Sequence, residues 1–268
     1  MDFKYFSKNG EIRPIEEAAV PLANIEYQYG FCVYENVRVE NGSPRFIKDH
    51  VVRLEESARI IGLEHRYAAS MIYHTIHELV EKTEQGTYNL KILLVGGQTP
   101  SLFIFPLNPH FPDKKLYRDG VHCITYEYER PFPHAKSLNM LESYLAYTKA
   151  REAGAHDALL VNSKGCITEG TRTNFFLMRD KALVSAPEAE ILLGVTRKIL
   201  LEVAAKESFS IVHKEIRSGD IEEADGAFLT STSAKILPVR SIDEIELKPP
   251  PPSLRELMSA FDTFLASH

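Results

Sequence analysis

The chain reads as an α+β protein of two domains, a small first domain and a larger second one built on a mostly antiparallel, barrel-like sheet. Three observations predict this. With 268 residues, 44% of them hydrophobic, the chain can bury a substantial core, either as one large domain or as two modest ones. Strand-sized apolar segments and amphipathic helical patterns recur along its length. Between them lies "PLNPHFPDKKLYRDG", rich in proline and charge, which reads as an inter-domain connection. The expected division is 1–113 for the small domain, 114–120 for the connection and 121–268 for the large domain.

The elements follow in order. "FCVYENVRVENGSPRFI" is β-rich and carries a turn signal at Asn41 to Pro44. "KDHVVRLEESARIIGL" sets Val52, Leu54, Ala58 and Ile61 near one helical face, and "AASMIYHTIHELVEKT" behaves similarly. "LKILLVGG" and "SLFIFPL" are strands around a G-G-Q-T-P turn. Beyond the connection, "VHCITYEYE" alternates as a strand does, and "LNMLESYLAYTKAREAG" is a helix ending near Gly154. Strands are then expected in "DALLVN", "CITEG", "TNFFLMRDKALVS", "SIVHKEI" and "GAFLTSTSAKILPVRSID". Helices are expected in "TRKILLEVAAKE" and "PSLRELMSAFDTFLAS".

Composition excludes several classes of function. A net charge of −6 offers no footprint for nucleic acid or an anionic membrane. No apolar run reaches membrane-spanning length, and the polar start "MDFKYFSKNGEIRPIEEA" is unlike a signal peptide. Cys32, Cys123 and Cys166 are odd in number and far apart, which argues against a disulfide framework or a cysteine-rich zinc site. The expectation is a soluble cytoplasmic protein with no metal.

Five places carry possible chemistry. In "PHAKSLNMLESYL", Lys136 stands just ahead of a helix start, where the positive end of the helix disfavours an ammonium and so favours a nucleophilic amine. A solvated surface lysine is the alternative. In "LLGVTRKILLEVAAKE", Gly194, Val195 and Thr196 begin a helix whose free N–H groups suit a phosphate, unless Thr196 is an ordinary cap. "FLTSTSAKILPV" sets four hydroxyls, Thr230 to Ser233, between two strands, as an anion site or a solvated hairpin would. Glu169 ends a strand in "GCITEGTRTNFFL", placed to pin a pyridine nitrogen or simply to sit at a turn. Arg53, on a helix, can grip a phosphate with paired donors or pair with Asp49 and Glu56 along its own helix. An amine, an acid for a ring nitrogen and several phosphate donors together describe pyridoxal 5′-phosphate.

The order of these segments resembles the class IV aminotransferases, the fold type IV pyridoxal-phosphate enzymes. That family includes branched-chain aminotransferases, D-amino-acid aminotransferases and aminodeoxychorismate lyases. "YGFCVYENVRVENG" resembles its G-x-x-V-[FY]-E strand, and "HVVRLEESARIIGL" its H-x-x-R-L-x-x-S-A helix. "AKSLNML" resembles the lysine segment of D-amino-acid aminotransferases, and "GAHDALLVNSKGCITEGTRTNFFL" the family's long and specific T-E-G signature, while "GVTR" and "ADGAFLTSTSAKILPV" complete the set. The resemblance implies that Lys136 forms the internal aldimine and moves the α-proton, and that Glu169 holds the pyridinium nitrogen. It implies phosphate binding by Arg53, Val195, Thr196 and Thr232, with Ser231 a weaker candidate. Tyr29, Tyr34 and Arg38 lie on the strand that faces the substrate in relatives, and the family's enzymes are homodimers.

Two departures bear on the substrate. D-Amino-acid aminotransferases hold the α-carboxylate with an Arg and His pair after a strand like "LKILLVGG", and this chain has no arginine between Arg66 and Arg118. Where the family has small residues after T-E-G, this chain carries Arg172, a candidate for a substrate carboxylate or a solvent-facing arginine. The turn Ser231-Thr232-Ser233-Ala234 is closer to transaminases than to lyases and adds Ser233 and Ala234 as substrate contacts. The expected function is therefore amino-acid transamination, with 4-amino-4-deoxychorismate cleavage to 4-aminobenzoate and pyruvate as the alternative.

Overall fold

The computed structural model describes residues 2–21, 23–83, 86–108 and 111–267. Two units emerge, one of Met1–His110 with His134–Asn139, the other of Phe111–Pro133 with Met140–His268.

The first unit opens with strands β1 (Tyr5–Lys8) and β2 (Glu11–Pro14), followed by the short helix α1 (Ile25–Tyr29). Then come β3 (Cys32–Glu40) and β4 (Ser43–Pro44), helices α2 (Ile47–Ile60) and α3 (Ala69–Glu81), and strands β5 (Thr87–Val95) and β6 (Ser101–Leu107). All pair antiparallel in the order β2-β1-β6-β5-β3-β4. The turn from β3 to β4 needs two left-handed residues, and Asn41 (φ 50°) and Gly42 (φ 79°) supply them at low cost. Helices α2 and α3 bury Val51, Leu54, Ala58, Ile72, Ile76 and Leu79 with Val33, Val37 and Val39 of β3. Val52, expected on the buried face, is exposed, because Val51 lies in phase with Leu54 and Ala58.

The second unit begins with α4 (Lys114–Asp119), the stretch read from the sequence as a connection. It continues with β7 (Val121–Glu127), α5 (Leu141–Glu152), β8 (Asp157–Val161), β9 (Ile167–Gly170), β10 (Asn174–Arg179) and β11 (Ala182–Ser185). Helix α6 (Val195–Lys206), β12 (Ser210–His213), α7 (Ser218–Glu222), β13 (Gly226–Ser231), β14 (Lys235–Ile242), β15 (Ile245–Glu246) and α8 (Pro252–Ser267) complete it. The main sheet runs β12-β11-β10-β13-β14-β7-β8-β9, and β9 pairs back to β10, so six strands close on themselves as a barrel. Closure removes the free edges that an open sheet would have to protect. Strands β7 and β8 are parallel, which requires a crossover, and α5 provides it. Phe175, Leu177, Leu229, Leu237 and Val239 share one core. Phe176 and Phe228, out of phase with them, stack at 5.0 Å, so β10 and β13 are buried on both faces. Among the described residues, no helix is long and apolar enough to cross a membrane.

Candidate active site

In the first unit the chemistry gathers on β3, whose alternation splits its residues between two faces. Val33, Glu35, Val37 and Val39 point inward, and all four are fully buried. A carboxylate there must be paired, and α2 pairs it. Arg53 donates from Nε to Glu35 Oε1 (2.6 Å) and from Nη2 to Oε2 (2.7 Å), and His50 Nδ1 lies 2.7 Å from Oε2. Burial by itself would raise the Glu35 pKa, but the Arg53 charge and the bonds from Arg53 and His50 outweigh it and bring it to about 2. Burial holds His50 below its ordinary value, so the ring is neutral and donates from Nδ1. Where the sequence suggested a pairing of Arg53 with Asp49 or Glu56, the structure shows this cross-element fork to Glu35. Glu56 instead takes Arg59.

The opposite face of β3 carries Tyr34 and Arg38. Beyond the short β4 pairing, the start of β3 has a free edge, and the lysine segment occupies it. Tyr34 N–H donates to the Lys136 carbonyl (2.9 Å), Leu138 N–H donates to the Cys32 carbonyl (2.9 Å), and Ser57 Oγ accepts from Lys136 N–H (3.0 Å). This is what positions the lysine. Helix α5 starts only at Leu141, so Lys136 lies outside its first turn, where the helix field is already weak. The Lys136 ammonium sits 4.7 Å from the centre of the Tyr34 ring. Lys91 of β5, which sequence reasoning missed, lies 4.4 Å from the same ring. Burial lowers the Lys91 pKa; Tyr34 opposes this and the Lys136 charge adds to it. Arg38 donates from Nε to Glu40 (2.7 Å), which also takes Arg45. Tyr29, expected on the same strand, instead ends helix α1 before the left-handed Gly30, and it is 79% exposed.

In the second unit one barrel rim collects the remaining candidates. Asn174 at the start of β10 is opposite Glu169 at the end of β9 and opposite Thr230 near the end of β13. Asn174 Nδ2 donates to the Leu192 carbonyl (2.7 Å) and to Glu169 Oε2 (3.3 Å), and Leu192 N–H donates to the same oxygen (3.1 Å). The loop entering α6 is thereby bound to the rim. Gly194 packs so tightly there that an added Cβ would lie 2.3 Å from Asn174 Oδ1. The first turn of α6, which starts at Val195 and Thr196, has Gly194 as its N-cap and so no capping side chain from that residue. The turn after β13 is tied by Ala234 N–H donating to Ser231 Oγ (3.1 Å), with Thr232 and Ser233 half-buried.

Behind the rim, Asp157 takes the hydroxyls of Thr171 (2.5 Å) and Thr173 (2.9 Å) and holds the turn after Glu169. Gly170 is required there, since a Cβ would meet Thr173 Oγ1 at 2.1 Å. Arg172, on the same turn, is exposed and stacks 3.9 Å from the ring centre of Tyr147. Glu35 could have been read from the sequence, as the one charge in phase with three core valines. Arg130, which lies against Glu169, and the Leu192 amide carry no sequence signal, because each arrives from an irregular loop.

The chain belongs to the amino-transferase class IV family, whose model matches residues 32–242. It is similar to the D-alanine aminotransferase of Bacillus licheniformis, 29% identical over 88% of this chain and 87% of that one. Among solved structures it is similar to the branched-chain amino acid aminotransferase of Thermobaculum terrenum in its pyridoxal-phosphate form. That likeness has a TM-score of 0.88 and 26% identity over 98% of this chain and 94% of that one. A Legionella pneumophila protein assigned as a 4-amino-4-deoxychorismate lyase is also similar, with a TM-score of 0.82 and 26% identity over 92% and 97% of the two chains. Fold type IV is thus the architecture of this chain, and pyridoxal 5′-phosphate is the cofactor of its family. The residues present fit that group. The α6 terminus, with a glycine as its N-cap, suits a phosphate, the carboxylate of Glu169 suits a ring nitrogen, and Thr230 Oγ1 is buried with no hydrogen-bond partner among the described residues.

Proposed function

We propose that this enzyme is an amino-acid transaminase in which Lys136 is the covalent anchor and the proton carrier. The observation that carries this reading is the seat of Lys136, a half-buried residue fixed to β3 by its own backbone with its amine beside Tyr34. When bound, pyridoxal phosphate supplies an aldehyde that condenses with amines and a ring that accepts the electron pair left by a departing α-proton. The chain's own residues do the rest. Lys136 would present a nucleophilic amine and would serve as the general base for the α-proton. Glu169 would accept a hydrogen bond from the ring N–H. The N–H groups of Val195 and Thr196, the hydroxyls of Thr196 and Thr232, and Arg53 bind phosphate, with Ser231 a weaker contact.

Tyr29, Tyr34, Arg38, Arg172, Ser233 and Ala234 are assigned to the substrate. The Glu35 fork fixes the Arg53 guanidinium through Nε and Nη2, so Arg53 would act as a fixed donor rather than a mobile clamp. The lyase reading uses the same lysine and the same proton, and the likeness to the Legionella protein is the observation that favours it. We further assign a homodimer, in keeping with the exposed Leu141, Tyr144 and Leu145 of α5, and a cytoplasmic location, in keeping with three free cysteines.

The test is the absorption spectrum of the cofactor-loaded protein before and after glutamate. A transaminase bleaches from yellow as the amino group moves to the cofactor, and a 2-oxo acid restores the colour. A protein that stays yellow with every amino donor but releases pyruvate from 4-amino-4-deoxychorismate is the lyase. Lys136→Ala should lower turnover by about 10³-fold or more and prevent borohydride from fixing the cofactor to the chain. If borohydride labels another lysine in the wild-type enzyme, the assignment of Lys136 is wrong.

A further inference from the structure

Arg130 lies on the loop after β7 and has no part in the reading above. Its side chain is only 14% exposed, and it is spent on two neighbouring groups of one turn. Nε lies 3.2 Å from Glu169 Oε1, and Nη2 donates to the Thr171 carbonyl at 3.0 Å. A guanidinium this buried is costly unless it is paired, so the pairing is specific to this place. The other oxygen of Glu169 accepts from Asn174 Nδ2 and from the Leu192 N–H. Those two donors are neutral. They orient the carboxylate, but neither offsets its charge, and the Glu169 side chain is 4% exposed.

We propose that Arg130 is a positioning residue that keeps Glu169 ionised and oriented, and through it sets the protonation of the cofactor's pyridine nitrogen. The inference rests on the reading of Glu169 as the partner of that nitrogen. A carboxylate buried without a cation takes up a proton. A protonated Glu169 would donate a hydrogen bond to a neutral pyridine instead of accepting one from a pyridinium, and the neutral ring is the weaker electron acceptor. Arg130 therefore acts on the α-proton step without touching the substrate. Its bond to the Thr171 carbonyl also fixes the backbone two residues beyond Glu169, so the same side chain holds the charge and the turn that carries it.

The experiment is ¹⁵N NMR of the holoenzyme loaded with pyridoxal phosphate labelled at the ring nitrogen, in wild type, Arg130→Gln, Arg130→Lys and Glu169→Gln. The expected wild-type signal is that of a pyridinium. In R130Q it moves to the free-base position, as in E169Q, while R130K keeps the pyridinium because it keeps the charge. A pyridinium in R130Q, whatever its melting temperature, overturns the inference and leaves Arg130 a structural residue. Should R130Q fail to take up the cofactor, R130K decides, and a free-base signal there also overturns it. A pyridinium in E169Q has a different meaning, since it defeats the assignment of Glu169 itself.

Discussion

Glu35 concentrates much of the first unit's chemistry in one buried carboxylate. Its fork to Arg53 joins strand β3 to helix α2, and His50 adds a third bond. Removing one partner of such a pair strands the other, so Glu35→Gln should cost about 3–5 kcal/mol, read by chemical denaturation. The pH dependence follows from the same geometry. Glu35 titrates at about 2 when folded against an ordinary 4.5, so its stabilisation is complete above about pH 4.5 and drains as pH falls towards 2. His50 is also lowered when folded. Below its ordinary 6.5 the unfolded chain therefore takes up a proton that the folded chain refuses, and stability falls with pH there as well. The melting temperature should decline in two stages on acidification. His50→Gln should shrink the upper stage, which His65 and His156 share because burial lowers them too, and change the lower one less, since Arg53 still holds Glu35. An upper stage unchanged in His50→Gln would show that the ring is not a buried neutral donor.

At the scale of elements, helix α6 depends on a glycine for its place. Gly194 has an ordinary helix-entry φ of −62°, so it is not needed for its backbone freedom. It is needed because a Cβ would lie 2.3 Å from the Asn174 amide that ties the α6 entry to Glu169. Gly194→Ala should therefore cost about 1–3 kcal/mol and weaken cofactor binding, as α6 and its phosphate-facing amides shift away from the rim. Thermal melting and fluorescence titration with pyridoxal phosphate measure the two effects. Gly219→Ala is the control. Nothing lies within 4 Å of its added Cβ, it sits in helix α7, and it should melt no lower than wild type. Equal losses in both variants would mean that Asn174 yields and the contact is not a constraint.

Across the whole molecule, neither unit is a continuous stretch of chain. His134–Asn139 belongs with the first unit although β7 and α5, on either side of it in sequence, belong to the second. Hydrogen bonds to Cys32 and Tyr34 are the reason, since they complete the free edge of β3. The exposed face of α5 is the other molecule-scale feature. Leu141, Tyr144 and Leu145, exposed by 67%, 65% and 44%, have helical spacing, and the buried side of the helix is already used by Ser143, Ala146 and Ala150. With a second copy as the assigned partner, Leu145→Glu should weaken the dimer, read as a smaller mass by light scattering. An unchanged dimer would place the interface elsewhere.

The sequence by itself determined most of the strands, the longer helices and the order of the segments from which the candidate site is proposed. Apolar spacing of two or 3.6 residues is written locally, and so are the β3–β4 turn at Asn41-Gly42 and the order of the lysine, T-E-G, G-V-T and S-T-S segments. Tertiary structure decided the partners. Arg53 had charges available on its own helix and took a carboxylate from a strand, because the buried Glu35 had greater need of it. Lys136 had a helix ahead of it and took the edge of β3, because unpaired backbone groups there required partners. Arg130, on the loop after β7, met Glu169 only because β8 lies between their two strands and brings the end of β9 close to that loop. Pairings of this kind depend on which groups lose their water together, and that is settled by the packed chain rather than by any local run of residues.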